Sequence, residues 1–182
     1  YTPYEVRTIG AFIRLDQPER AHALLDFFMQ DRRPPGWRHW AEVVWPDPRT
    51  PRFIGDMPHT WVGSDFINPV RTMFLYEDEF HDALVIGAGL SRDWIRTEEG
   101  VRVEGLPSYY GAVSYSYRWQ AKGCRIEIPV SLRTPAGGIR VVHHAAGRPA
   151  KVTVNGRSWK EFDDRAVYLR SLPAVIEVTA GY

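Results

Sequence analysis

Glu42, Asp56 and His59 are the residues whose types and spacing best suit proton transfer. They fall in one stretch, residues 36–66, GWRHWAEVVWPDPRTPRFIGDMPHTWVGSDF, which also holds His39, Asp47, Asp65 and four prolines. Four of the seven tryptophans lie there too: Trp37, Trp40, Trp45 and Trp61. Glu42 stands between Trp40 and Trp45 in sequence. Apolar neighbours raise a carboxyl pKa and exclude water, which suits general acid–base work. Aromatic faces stack on the C–H faces of sugar rings by hydrophobic and dispersion contact. His39 and His59 can donate hydrogen bonds to hydroxyls. The residue types therefore point to a carbohydrate site. Glu42 is its acid–base candidate, and Trp40, Trp45, Asp56, His59, Trp61 and His39 are its substrate-binding candidates.

The same residues have structural readings. Glu42 also fits a half-buried strand residue paired with Arg38 or Arg52. Asp56, just ahead of Pro58, fits a turn or helix-cap residue. His59 fits a helix cap, and Asp65 a hydrogen-bonded polar group within a helix. The tryptophans also fit a core beneath a long loop. Elsewhere the chemistry is thin. Cys124 is the single cysteine, which excludes an internal disulfide and a cysteine-based zinc site. His143 and His144 are adjacent on a strand, so they point to opposite faces and do not chelate one metal. Gly87-Ala88-Gly89 lacks the spacing and the lysine of a phosphate loop. Tyr115 and Tyr117 share one strand face, as a packing ladder would. No metal and no cofactor is expected.

Three helices should carry the first part of the chain. Residues 4–15 show a helical apolar period. Asp16 reads as an N-cap, with Pro18 in the first turn and Glu19 completing a capping box. Residues 17–31 place Ala21, Leu24, Leu25 and Phe28 on one stripe, and Phe27 widens it, predicting burial on two sides. Asp31 to Gly36, with Pro34-Pro35, ends that helix. Residues 36–58 are a long loop with a short strand at 41–45, and residues 59–76 form a third helix that Pro69 should kink.

After Asp78 the period becomes two. Residues 82–89 are a short apolar run, and 90–95 one helical turn capped by Ser91. Strands follow near 101–105, 111–119, 124–131, 139–144, 150–154, 166–170 and 174–179. Asn155-Gly156 predicts a type I′ hairpin turn. The expected fold is α+β: an N-terminal helical segment, 1–80, followed by an antiparallel β-sandwich, 81–182.

The 182 residues are 44% hydrophobic and 25% charged, with 23 basic and 22 acidic side chains. That balance gives no electrostatic footprint for nucleic acid or an anionic membrane surface. No apolar run reaches the roughly 18 residues of a membrane span. The chain starts at Tyr1 with neither an initiator Met nor a signal peptide, and reads as the C-terminal part of something longer. A periplasmic or extracellular setting is weakly favoured over a cytoplasmic one.

The strings DMPHTWVGSDFINPVRTMFLYE (56–77), ALVIGAGLSRDWI (83–95) and GLPSYYGAVSYSY (105–117) resemble the closing section of glycosidases built on a six-hairpin (α/α)6 barrel. In that family the last inner helix is followed by a strand, a short segment and a β-sandwich. The likeness runs from about 40 to 118 and is nearest to α-L-rhamnosidases and related uncharacterised bacterial proteins. Trp40 to Trp45 and Pro58-His59 would match the family's Trp-Glu-x-Trp and Asn-His segments, with a different spacing and with Pro58 where Asn is expected. The resemblance implies glycosidic-bond hydrolysis with inversion, Glu42 as general base, and a general acid in an N-terminal portion of the parent. Its first 80 residues would be the end of an α/α toroid. It also implies an exposed apolar helical face, covered by that missing portion or by a second copy of the chain. The other reading is a non-catalytic module that binds glycan or supports a scaffold.

Overall fold

The computed structural model describes residues 2–30, 32, 36, 38–45, 47, 53–130 and 132–181. The chain divides into two compact units, Tyr1–Met73 and Phe74–Tyr182. The division precedes the 80/81 boundary expected from sequence, because Leu75–Asp78 is a strand paired with Ala83–Ile86. Together the units are an α+β protein.

In the first unit a 3₁₀ turn, Pro3–Arg7, runs directly into α1, Thr8–Arg14. Val6, Ile9 and Ile13 form its buried stripe. Asp16 ends α1 rather than opening the next helix. It has φ +65°, and the Asp16 and Gln17 N–H groups donate to the Ile13 and Phe12 carbonyls. That is a Schellman closure, a conformation Asp tolerates better than most residues. Helix α2, Pro18–Gln30, then starts with proline at its first position. It buries Ala21 and Phe28, whereas Phe27 is 49% exposed, so the helix is covered on one side and not two. The segment expected to end α2 includes Asp31, Arg33, Pro34 and Pro35, which lie outside the described residues.

Strands β1, Val43–Val44, and β2, Phe53–Ile54, form a short antiparallel pair. Helix α3, Thr60–Phe74, follows and contains Pro69. Gly10 of α1 lies against Pro69, where an added Cβ would sit 3.4 Å from the proline ring. Leu15, Phe27, Met29 and Ile67 are exposed apolar side chains of this unit.

The second unit begins with β3, Leu75–Asp78, and β4, Ala83–Ile86, then the short helix α4, Arg92–Arg96. Ser91 caps α4 by accepting from the Trp94 N–H, as its sequence predicts. Eight strands complete the unit: β5 Val101–Ser108, β6 Gly111–Gln120, β7 Gly123–Ile128, β8 Gly138–Val142, β9 Lys151–Val154, β10 Arg157–Ser158, β11 Ala166–Leu169 and β12 Ala174–Thr179. One sheet has the order β10-β9-β12-β7-β6-β5 and the other β11-β8-β4-β3. Neighbours run antiparallel except β4 and β8, which are parallel. The all-antiparallel expectation fails at this pair. A parallel pair needs a long crossover, and here the chain forms α4 and β5 to β7 before returning.

Side chains of both sheets join one apolar cluster. Val113, Tyr115, Tyr117, Ile126 and Ile176 come from the larger sheet, and Leu84, Ile86, Val141 and Leu169 from the smaller. Strand β4, ALVI, is buried at all four positions, which suits its unbroken apolar run between two paired neighbours. Asn155 and Gly156 have φ +51° and +76°, the two positive values of a type I′ turn, and Val154 pairs with Arg157.

Asp163 organises the approach to β11. Its Oδ1 accepts from the Arg165 and Ala166 N–H groups, and its Oδ2 from the Tyr168 hydroxyl. Burial pushes its pKa up, but these hydrogen bonds outweigh burial and hold the carboxyl below its ordinary value. Asp163→Ala should cost about 2–3 kcal/mol, read by urea unfolding, because it strands these donors. The wild-type contribution is present at neutral pH, above the unfolded-state pKa. It should fade as pH falls below about 4 and through the depressed folded value.

Candidate functional site

The first unit gathers titratable side chains at the start of α3. Two backbone hydrogen bonds set the frame: the Glu42 N–H donates to the Asp56 carbonyl, and the His59 N–H to the Trp40 carbonyl, both at 3.1 Å. They continue the β1–β2 ladder outward, so Glu42 lies opposite Gly55. Gly55 has φ +83°, and a Cβ there would fall on the Glu42 carboxylate. Glycine is therefore needed both for the backbone conformation and for the space Glu42 occupies. From the chain start, the Thr2 hydroxyl donates to the Glu42 carbonyl at 2.8 Å.

His59 is the residue before α3. Its Nδ1 accepts the Val62 N–H at 3.4 Å, so the ring caps the helix as an Asn or Ser side chain would. That bond leaves the ring proton on Nε2. Nε2 lies 3.2 Å from the Tyr4 hydroxyl oxygen and 3.9 Å from Glu42 Oε2. With Nε2–H donating to Tyr4, the tyrosine hydrogen is free for another acceptor. The His59 side chain is 9% exposed and that of Glu42 38%, so the carboxylate is the accessible member.

Tyr4 is the centre of the group. Its ring meets His59 edge to face at 5.4 Å and Trp61 at 6.1 Å. Arg7 lies over the same ring at 5.3 Å and pairs with Asp65 at 2.9 Å. Desolvation raises the Tyr4 pKa, and the negative charges of Glu42, Asp65 and Asp56 add to that, against the opposing Arg7. Tyr4 thus stays a neutral hydrogen-bond donor through the physiological range.

The sequence candidates separate. Glu42, Asp56, His59 and Trp61 come together. Trp61 is 66% exposed at the rim and Trp45 is 45% exposed. Trp40 is 7% exposed; its indole N–H donates to the Phe28 carbonyl and its ring packs on Phe66 at 4.8 Å. It is core, and offers no open face to a ligand. His39 is exposed, and among the described residues no contact joins it to this cluster. Asp65 is committed to Arg7. Trp37 and the proposed ion-pair partner Arg52 lie outside the described residues. Tyr4 and Arg7 were missed because they sit in a helical apolar pattern 35 or more residues before Glu42, with no local signal linking them to it.

Among the described residues no group of three or more His, Cys, Asp and Glu is placed to hold a metal ion. His143 is fully buried, accepting at Nδ1 from the Ala145 N–H, while His144 Nε2 lies 2.6 Å from the Gly87 carbonyl. Among the described residues no helix is long and apolar enough to cross a membrane. Compared with protein-family models, curated proteins and solved structures, the chain matches none.

Glu42→Gln should lower the Tyr4 titration toward the ordinary phenol value, because it removes a neighbouring negative charge; ring shifts followed by NMR against pH would show it. His59→Ala should cost about 0.5–2 kcal/mol through the lost cap, while His59→Asn, which retains a capping acceptor, should unfold within a few tenths of wild type. Equal losses in the two variants would mean that capping is not the stabilising contact.

Proposed function

We propose that residues 36–66 form one wall of a carbohydrate site, and that Glu42 is the base in glycosidic-bond hydrolysis by the parent protein. The observation that supports this is the half-exposed Glu42 carboxylate beside the Tyr4–His59 pair, with the exposed Trp61 ring edge to face against Tyr4. A general base needs an accessible carboxylate in a fixed orientation. The Gly55 conformation and the Thr2 and Asp56 backbone contacts supply that orientation. Tyr4, whose hydroxyl hydrogen is left free by the His59 contact, supplies a donor for a sugar hydroxyl, and Trp61 a stacking face.

On this reading the helices are the closing hairpins of an α/α barrel and the two sheets form its C-terminal β-sandwich. Hydrolysis with inversion takes a second carboxyl roughly 6.5–9.5 Å from the first, with a water between. The resemblance assigns that general acid to sequence preceding this chain. The exposed Leu15, Phe27, Met29 and Ile67 are surfaces that such sequence, or a second copy, would cover.

A non-catalytic glycan-binding or supporting module is the second reading. It is favoured by the capping role of His59 and the burial of Trp40, which account for both residues without chemistry.

The deciding experiment compares wild type with Glu42→Gln in the longest native polypeptide that contains this chain. The assay is reducing-sugar release from a panel of plant and bacterial glycans. A loss of about 10²–10⁴-fold in turnover is expected for a missing general base. Turnover unchanged in Glu42→Gln would remove Glu42 from the mechanism. Glycan binding without hydrolysis by the wild type would favour the module.

A further inference from the structure

The outward face of the six-stranded sheet carries a trough of about 540 Å³, in the size range of ligand sites. Its floor is β6. On this strand Val113, Tyr115 and Tyr117 are buried, so the intervening Ser114 and Ser116 stand on the opposite face. Arg102, Ser116, Glu127 and Val175 are paired across β5, β6, β7 and β12, and therefore share that face. Two small serines between long charged side chains leave a channel along the strand.

Its walls are ion pairs. Arg102 Nε meets Glu104 Oε1 at 2.7 Å on one side. On the other, Arg125 bridges Glu127 and Glu177, at 2.7 Å to each. Between Val103 and Leu106 the β5–β6 register shifts, with Gly105 at φ +62° and its N–H on the Ser114 hydroxyl at 3.0 Å. A bulge at an edge strand bends it, and here it shapes the channel wall. Pro129, Pro173 and Val175 form an apolar margin at one end. At the other, a second hollow of about 270 Å³ adjoins it across Ser116 and Glu127, and the two together make up the groove.

Three arginines, 102, 118 and 125, and three glutamates, 99, 104 and 127, line the two hollows. These six charges cancel, and with Glu177 on Arg125 the groove carries at most one net negative charge, too little to draw a polyanion or a polycation. It is dense in donors and acceptors, and each paired carboxylate keeps acceptor positions for further bonds. An apolar ligand would strip water from those charges at a cost. A neutral, hydroxyl-rich chain replaces the water hydrogen bond for hydrogen bond and lays its C–H faces on the proline and valine margin. We infer that this groove binds an uncharged oligosaccharide strand lengthwise along β6. The site belongs to the second unit and does not rest on the Glu42 reading.

The test is an amide ¹H–¹⁵N NMR titration of the full chain. Neutral probes are cellohexaose, xylohexaose, mannohexaose and maltohexaose, with an oligogalacturonate and a heparin hexasaccharide as charged controls. At least one neutral probe should give saturable shifts at residues 114, 116 and 127 at millimolar concentration. Ser116→Trp, which fills the floor from the solvent side, should weaken binding at least tenfold. Ser114→Gln does the same with a smaller side chain, should the first variant fold poorly. Glu42→Gln should leave the shifts unchanged, which separates this site from the first. No saturable shift with any neutral probe would overturn the assignment. So would tighter binding of a charged control, or shifts confined to residues 40–61.

Discussion

The first unit depends on how the segment after α2 closes on itself. The Glu42 N–H to Asp56 carbonyl and His59 N–H to Trp40 carbonyl bonds join stretches on either side of the β1–β2 pair. That closure sends Trp40 inward, where its indole N–H meets the Phe28 carbonyl of α2, and leaves the Glu42 carboxylate half exposed. It also sets the backbone of His59 so that the ring can turn onto the first turn of α3. A single ladder thus anchors the core on one side and orients a carboxylate on the other. Burial of Trp40 is the apolar driving force that holds it.

His59 shows how one side chain serves both stability and a site. As cap, it accepts the Val62 N–H at Nδ1, and that acceptance determines where the ring proton is. The donor at Nε2 then faces Tyr4. Structural capping and a site role are therefore not competing descriptions. The cap fixes the tautomer, and the tautomer gives the Tyr4–His59 pair its direction. Desolvation, and after it the nearby carboxylates, push the Tyr4 pKa up, so its phenol stays protonated and presents a donor next to the accessible acceptor of Glu42.

The second unit rests on a different constraint, the strict alternation of β6. Large apolar and aromatic residues face the core, and small polar ones face water. The two sheets share one apolar cluster, and the same alternation creates the serine-floored groove outside it. Buried Tyr117 donates to Cys124, and the Cys124 thiol to the His143 carbonyl, which satisfies polar groups within that core.

Local pattern by itself marked the strands after about residue 101, the type I′ hairpin and the Ser91 cap, because alternation, Asn-Gly and Ser-x-x encode dihedral angles and hydrogen bonds over a few residues. It also marked residues 36–66 as the place where Glu42, Asp56, His59 and Trp61 meet. The hand-over from α3 to β3 at Phe74 was not legible, since helix and buried strand share the same apolar run and only pairing with β4 separates them. Nor was the parallel β4–β8 pair, whose partners, such as Ala83 and Gly138, lie 55 residues apart in the chain. Tertiary structure alone turned Trp40 into core and brought Tyr4 and Arg7 to Glu42 and Asp65. Each of these depends on which distant backbone or side chain lies opposite, and contacts of that kind leave no periodic trace in the sequence.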